Sequence, residues 1–328
     1  PPFLGGRRIT YRHSDKLLAY LKSWLKGAAG TTDLCVYFLI RASVLTKRDG
    51  FIGLIVSDIV SQGESRVNGL ERLISEGYSI YSCISSMEWP GAAGVKISLI
   101  HIAKERWRAA VKINGVFTDG TITSFLQNSR DQSEVSPYPL TANEDSCFSG
   151  HYLMGQGFVV TDALRSQLIN ANAKNSEVIF PYIKGDDINN EPSQTSGLYA
   201  INFSMRELDE CEINYPECLA LIRELVKPER DAVKGKADRE RWWRYARARP
   251  GLEAAILKLE KVIVQPFTAK YIFPTFVDAK SVFAHPLVVI VKPTFHVYAC
   301  LQSSVHEKWV WQYCSTSLEL LRYTANTV

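Results

Sequence analysis

Two stretches of this 328-residue sequence carry side chains that could do chemistry. The first is the opening Pro1-Pro2-Phe3. Each proline fixes its own φ and lacks an N–H, and the second also restricts the residue before it, so neither a helix nor a paired strand can form there. What remains is a stiff loop that presents an aromatic ring, followed by a hinge at Gly5-Gly6. The second stretch is residues 227–250, KPERDAVKGKADRERWWRYARARP, in which nine Lys/Arg stand against four Asp/Glu. The whole chain has a net charge of only +4, so its positive excess sits in this one segment. Such a cluster can hold phosphates. It can equally be a solvated helix face with i,i+4 pairs such as Lys236–Glu240. Charge by itself leaves both readings open.

Other chemistry is thinly represented. The seven cysteines are odd in number and scattered, without a CxxC, and the six histidines form no HxxxH-type pair. No zinc site is expected, and the pattern suits free thiols in a reducing cytoplasm. His285, His296 and His306 are isolated beside aromatics and are assigned no role. No apolar run approaches the ~18 residues that span a bilayer, and the charged-then-apolar layout of a signal peptide does not occur. A cytoplasmic protein with no membrane partner is therefore expected. A composition of 46% hydrophobic and 22% charged residues is ordinary for a globular chain, and the length favours two domains.

The elements that must position these residues can be read in order. DLCVYFLIRASVL (33–45) is apolar nearly all round, as a buried helix is, with Asp33 at its start. KRDG is a turn, and FIGLIVSDIV (51–60) is a continuous β-rich run. Val67, Leu70, Leu73 and Ile74 recur at helical spacing within 64–77, a helix that Gly77 stops. YSIYSCIS (78–85) and VKISLIHIA (95–103) are strands. The nine residues between them include Pro90-Gly91 and cannot hold a crossover helix, so these two strands should be antiparallel. The first domain therefore reads as the later half of a doubly wound α/β sheet with one reversed strand. Residues 118–148 are polar and aperiodic, a linker. Strands follow at 151–161, 177–183 and 198–204. Two helical stretches come next, one with Leu219, Ile222 and Leu225 and one with Trp242, Tyr245/Ala246, Leu252, Ile256 and Leu259 on their apolar faces. Pro250-Gly251 divides the second stretch into two helices. Strands resume at 261–267, 270–277, 281–291 and 296–301, where Pro266, Pro274 and Pro286 imply edges or bulges. This is an α+β second domain.

The element order after Pro1-Pro2-Phe3 resembles class I S-adenosylmethionine methyltransferases that act on an exocyclic amino group. In these an N-P-P-F/Y loop follows the fourth strand, and helix, strand, helix, strand and a reversed final strand come after it. The phrases PPFLGGRRIT, TDLCVYFLIRA, GLIVSDIVSQGESR, MEWPGAAGVKISLIHI, YLMGQGFVVT, VIFPYIKGDDIN, VKPERD, RERWWRYARARPGL and LQSSVHEKWVWQYCSTSLELLRYT are similar, in that order, to MmeI-type single-chain restriction–modification proteins. The resemblance implies an α/β methyltransferase portion at 1–117, a linker at 118–148 and an α+β DNA target-recognition domain at 149–328. It implies methylation of adenine N6 in double-stranded DNA with S-adenosylmethionine as donor. Pro1 would supply a carbonyl to the amine, Pro2 would stiffen the loop, and Phe3 would stack on a base flipped from the duplex. The family's Asn before Pro1, its upstream glycine-rich cofactor loop and its PD-(D/E)xK nuclease, which would use Mg2+, are not found in these residues. The chain is therefore expected to be a fragment without activity of its own. The GQG at 155–157 lies in a strand-like segment of the second domain and is not expected to bind cofactor.

In the second domain the resemblance favours the phosphate reading of the basic segment, with Lys227, Arg230, Lys234, Lys236, Arg241 and Arg244 as backbone contacts. Trp242 and Trp243 are read as core or interface. Base reading is assigned to AKYIFPTFVDAKSVFAH (269–285), where Lys270, Thr275, Asp278 and Lys280 interrupt apolar β residues. Lysine can contact guanine and aspartate can accept from cytosine, although an ordinary hairpin with solvated tips would look the same. Glu64 and Arg66 could line a DNA cleft, or Glu64 could cap a helix. Two other functions fit the same pattern. One is a specificity module without catalysis, and the other is an amino-group methyltransferase acting on protein or RNA.

Overall fold

The computed structural model describes residues 2–28, 30–131, 133–134, 137–138, 140–317 and 320–325. The chain divides into two compact units, residues 1–138 with 313–319, and residues 139–312 with 320–328.

The first unit begins with α1 (Gly6–Arg12), α2 (Asp15–Trp24) and α3 (Leu34–Leu45). α3 is buried on most sides, and the Asp33 carboxylate accepts the Cys35 N–H at 2.9 Å to cap it. β1 (Phe51–Ser57) follows, then a 3-10 turn at 58–61 and a helix in three parts: α4 (Gly63–Arg66), a π-helical turn at Val67–Glu71 and α5 (Arg72–Ser75). The extra residue of the π turn shifts the helical phase. Leu70 and Leu73 stay buried as their spacing predicts, but Val67 turns outward and is exposed.

β2 (Ser79–Glu88) and β3 (Lys96–Ala103) are antiparallel, as the short Pro-Gly connection requires. β3 lies between β1 and β2 and is antiparallel to both, so β1 and β2 run parallel, joined by the α4–α5 crossover. β4 (Val111–Ile113) pairs parallel with β2 and turns back through Asn114-Gly115 into β5 (Val116–Thr118). Both turn residues have φ near +50° to +90°, which is why Asn and Gly occupy them. The core packs α3 and the π-turn segment against Ile52, Val56, Ile80, Ile100 and Ile102 of the sheet. Within the polar stretch that follows β5, Ile122 and Leu126 are buried in this same core.

The second unit holds β6 (Cys147–Ser149), β7 (Val159–Thr161), α6 (Asp162–Ala171), β8 (Ile179–Ile183), α7 (Gly185–Asn190), β9 (Leu198–Ile201), α8 (Leu208–Asn214), α9 (Pro216–Leu225), α10 (Lys227–Asp231) and α11 (Lys236–Glu240). After these come α12 (Pro250–Ile256), β10 (Lys261–Pro266), β11 (Thr268–Ala269), β12 (Thr275–Asp278), β13 (Val282–Phe283), β14 (Leu287–Ile290), α13 (Phe295–Leu301) and α14 (Ser304–Tyr313). Two four-stranded sheets are among those that result, β12-β10-β14-β6 and β13-β8-β9-β7, each over its own apolar cluster.

Three sequence expectations are corrected here. The run 296–301 is helical, because the Thr294 hydroxyl accepts the Val297 N–H and caps α13. Only 159–161 of the 151–161 run is strand, and its middle is a 3-10 turn. Residues 241–249 are not helical. Trp242, Trp243, Arg244 and Tyr245 are all buried, and four consecutive inward side chains cannot share one face of a helix. Pro266 and Pro274 stand at strand ends, where a missing N–H costs no ladder bond.

A polar hub lies inside the second unit. Glu253 of α12 accepts from His151 Nε2 at 3.2 Å, from Asn202 at 2.9 Å and from the Ser204 hydroxyl. Burial works to raise the Glu253 carboxyl, but these donors outweigh it and hold the group below the ordinary carboxylate range. A lowered folded pKa adds stability that is complete above the unfolded value of about 4.3 and is lost as pH falls through the folded one. Urea denaturation of wild type and Glu253→Gln should therefore show a stability gap that is widest near neutrality and narrows as pH drops below about 4.3. A gap unchanged between pH 7 and pH 3 would contradict the assignment.

Candidate functional site

In the first unit the loop before α1 is held from two sides. Pro1 lies outside the described residues. Pro2 is exposed, and Phe3 presents its ring at 37% exposure. Leu4 packs on the core and its carbonyl accepts the Leu34 N–H at 2.9 Å. Gly6 lies so close to the backbone of Gly30 and Thr31 that a Cβ would collide with the Gly30 carbonyl oxygen. Gly5 has an ordinary φ of −60°. The pair expected as a hinge thus includes a fixed packing point.

The 30–34 segment is itself anchored. The Asp33 N–H donates to Ser65 Oγ at 3.0 Å, and Asn68 Nδ2 donates to Thr32 Oγ1 at 3.2 Å and to the Glu64 carbonyl at 2.9 Å. The Cys35 thiol is pushed well up by burial and by Asp33 beside it, so it is inert at neutral pH. The result is an exposed aromatic on a backbone tied to α3 and α4, which is the form a stacking platform takes.

Arg66 does not face solvent. It donates to Ser124 Oγ at 2.7 Å and to Glu71 at 2.5 Å, and its guanidinium lies 4.1 Å from the centre of the Phe125 ring. Glu64 accepts from Asn68 at 3.2 Å, one turn along its own helix. Asp58, just after β1, is raised by burial against the pull of the Ser86 and Ser98 hydroxyls and of Lys96.

In the second unit the basic segment separates into two kinds of residue. Arg230 is 1% exposed. Its Nη2 donates to the carbonyls of Leu153 at 2.7 Å and Arg244 at 3.0 Å, and its Nη1 faces Asp238 at 3.5 Å. Burial pushes the Arg230 pKa down, with Asp238 opposing. Arg244 is also buried. It donates from Nε and Nη2 to the Arg206 carbonyl and pairs with Glu207 at 2.8 Å. These two arginines, expected as phosphate contacts, are internal struts: both guanidinium groups are turned inward onto protein acceptors, although Arg230 Nε is buried without one among the described residues. Lys234, Lys236 and Arg241 are exposed and Lys227 is half-buried. Lys227 pairs with Asp231 at 2.9 Å and Lys236 with Glu240 at 3.6 Å.

Of the residues assigned to base reading, Lys270, Asp278 and Lys280 are exposed. Lys270 lies over the Tyr271 ring, and the Asp278 carboxylate accepts the Lys280 N–H at 2.7 Å in a tight local turn. Thr275 is buried and its hydroxyl accepts from Gln194 Nε2 at 2.7 Å, so its position in β12 makes it part of the protein interior. The GQG at 155–157 is a packing motif. Gly155 has φ +149°, and a Cβ there would meet Val226 at 2.9 Å, while one at Gly157 would collide with Leu225.

Besides Arg239, two arginines of the basic segment lie outside the phosphate set assigned from the sequence, Arg247 and Arg249. Their spacing carried a signal: in YARARP they alternate with alanine at the period of extended chain, which puts both on one side. Among the described residues no group of His, Cys, Asp and Glu is placed to hold a metal ion, and no helix is long and apolar enough to cross a membrane.

No protein-family model matches the sequence, and no curated protein does. Among solved structures, the type IIL restriction-modification enzyme MmeI in complex with DNA aligns with 99% of this chain at 18% identity and a TM-score of 0.76. The fold of the chain is thus one it shares with part of that enzyme, and the resemblance seen in the sequence extends to the fold. The aligned region is 44% of the MmeI chain, so these residues span less than half of that protein's length. The type IIG restriction endonuclease BpuSI aligns with 92% of this chain and 42% of its own at 12% identity and a TM-score of 0.31, too low to bear on the fold.

The division of the basic segment can be checked by stability alone. Arg230→Ala should lower the unfolding free energy by roughly 1–3 kcal/mol for each buried carbonyl it orphans, whereas Lys234→Ala and Arg241→Ala should leave it within about 0.5 kcal/mol. Equal, small effects of all three in urea denaturation would return Arg230 to the surface set.

Proposed function

We propose that this chain is part of a site-specific adenine-N6 DNA methyltransferase within a restriction–modification protein. Residues 1–117 are the later half of the methyltransferase sheet, 118–148 the connection, and 149–328 the module that reads duplex DNA. The observation that carries the reading is the shared fold with MmeI, a restriction-modification enzyme solved in complex with DNA, along nearly the entire chain. Two features of the chain itself support it. The strand order β1-β3-β2 with β3 reversed is the closing half expected of a class I methyltransferase sheet. The Pro2-Phe3 loop presents its ring from a fixed backbone at the start of that half.

In this reading Phe3 stacks on a flipped adenine, and Pro1 offers its carbonyl to the amine. Alanine substitution of such a stacking residue costs about 1–3 kcal/mol per base in other systems. S-adenosylmethionine would supply the methyl group, but these residues do not form its cradle. The GxG at 155–157 is filled by Leu225 and Val226, so this reading places the donor against another part of the parent protein. Lys227, Lys234, Lys236 and Arg241 remain the proposed phosphate contacts of the basic segment. Lys270, Asp278 and Lys280 remain the proposed base readers, flanked by the exposed Tyr271 and Phe273.

Selection from a randomised duplex pool with the 328-residue chain, at two salt concentrations, tests this reading. Retained duplexes should share a short motif containing adenine, and retention should fall steeply as salt rises. Failure to retain duplex DNA at low salt would overturn it.

A further inference from the structure

A second basic surface lies outside the phosphate and base contacts proposed above. Three extended segments of the second unit run side by side. Residue 152 pairs antiparallel with residue 247, through Tyr152 N–H to the Arg247 carbonyl at 3.3 Å and Arg247 N–H to the Tyr152 carbonyl at 3.1 Å. On the other side His151 bridges in parallel to Ala284, and the His285 N–H donates to the His151 carbonyl. Gly150 makes this approach possible, because a Cβ there would press on the carbonyls of Phe283 and Ala284.

Directly opposed residues on paired strands point to one face. His151 turns inward to Glu253 and is buried, so Tyr152, opposite Arg247, turns outward. Arg247, Tyr152 and His285 are all exposed. The Tyr152 and His285 rings meet edge-on at 6.2 Å, with Phe267 at 6.3 Å behind His285. The row thus runs cation, phenol, imidazole across three adjacent extended segments.

Its charge is unbalanced. Arg249, two residues from Arg247, is held half-buried in the left-handed region at φ +59°, with Nε donating to the Gly150 carbonyl at 3.1 Å. Burial and the like charge of Arg247 both push the Arg249 pKa down. Neither arginine has a carboxylate partner within 4.0 Å among the described residues. The nearest acid in sequence, Glu253, turns its oxygens inward to His151, Asn202 and Ser204. Two arginines held together without an acid, beside a phenol and an imidazole, make a site for an anion with several acceptor oxygens.

We propose that Arg247, with Arg249, Tyr152 and His285, is a phosphate-binding row that contacts the backbone of duplex DNA. It rests on the duplex-recognition reading above and adds contacts which that reading did not contain. The row stands on paired backbone and its arginines have no acid partner among the described residues, whereas Lys227 and Lys236 are paired with Asp231 and Glu240, so it sets the register of the DNA backbone as well as adding affinity.

The test is fluorescence anisotropy of the whole chain with a labelled 30-base-pair duplex over a series of salt concentrations. Wild type should bind with log K falling linearly in log[salt]. Arg247→Gln should bind severalfold more weakly and flatten that slope by about 0.9, the value for one lost phosphate, and Arg247→Lys should keep the wild-type slope. Thermal melting should be the same for all three, since the Arg247 side chain is exposed. Salt-dependent binding by wild type with an unchanged slope in Arg247→Gln would overturn the row and leave the duplex reading standing. No duplex binding by wild type would overturn both. Competition by single-stranded RNA at a tenfold lower concentration than duplex DNA would overturn the choice of partner.

Discussion

A guanidinium taken out of water must be given acceptors, because the effective penalty is several kcal/mol per ion even after relaxation. In the second unit that demand falls on Arg230, and much of the local architecture answers it. The side chain reaches from α10 to the Leu153 carbonyl on one side and the Arg244 carbonyl on the other, with Asp238 facing Nη1, while Nε is buried without an acceptor among the described residues. With Arg244 O turned inward and Trp242, Trp243 and Tyr245 buried around it, the chain cannot continue α11 as a helix. It leaves extended, and residue 247 pairs with residue 152. One buried charge thus decides which of the nine basic residues of 227–250 can meet a phosphate and which hold the unit together.

The first unit shows the same logic with backbone in place of charge. Gly6 lies where only a glycine fits, against Gly30. Leu34 and Leu4 share a hydrogen bond, and Ser65 and Asn68 tie the 32–33 turn to α4. Phe3 therefore stands on a backbone with little freedom. A stacking platform benefits from such restraint, because ordering it at the moment of binding would subtract from the stacking energy.

Much of the first unit was legible in the sequence because its signals were local or counted. The helix at 34–45 followed from its apolar surface and the Asp33 cap. The antiparallel pairing of β2 and β3 followed from the length of one connection. What local signals could not convey were phase changes imposed by tertiary contact. The π turn at 67–71 placed Val67 outside, and two buried carbonyls at 153 and 244 turned Arg230 inward. The Asn114-Gly115 hairpin has a local signal in its two turn residues, whereas Ile122 and Leu126 are hidden in a polar stretch. For the candidate site, residue type identified the basic segment, but only burial separated Arg230 and Arg244 from Lys234 and Arg241. Thr275 is interior for a similar reason, since a hydroxyl in an alternating strand can face either side. The alternation in YARARP was a period-2 signal set inside a segment read with a helical period.

In the proposed function Phe3 stands on the substrate side of an adenine methyltransferase. The most direct measurement is transfer of a labelled methyl group from S-adenosylmethionine by the full-length parent protein, carrying either Phe3 or Phe3→Ala. The proposed function predicts N6-methyladenine in duplex DNA, formed about 5- to 160-fold more slowly by the variant, as loss of 1–3 kcal/mol of stacking requires. Label appearing only in protein or RNA, or equal rates for the two proteins, would contradict it.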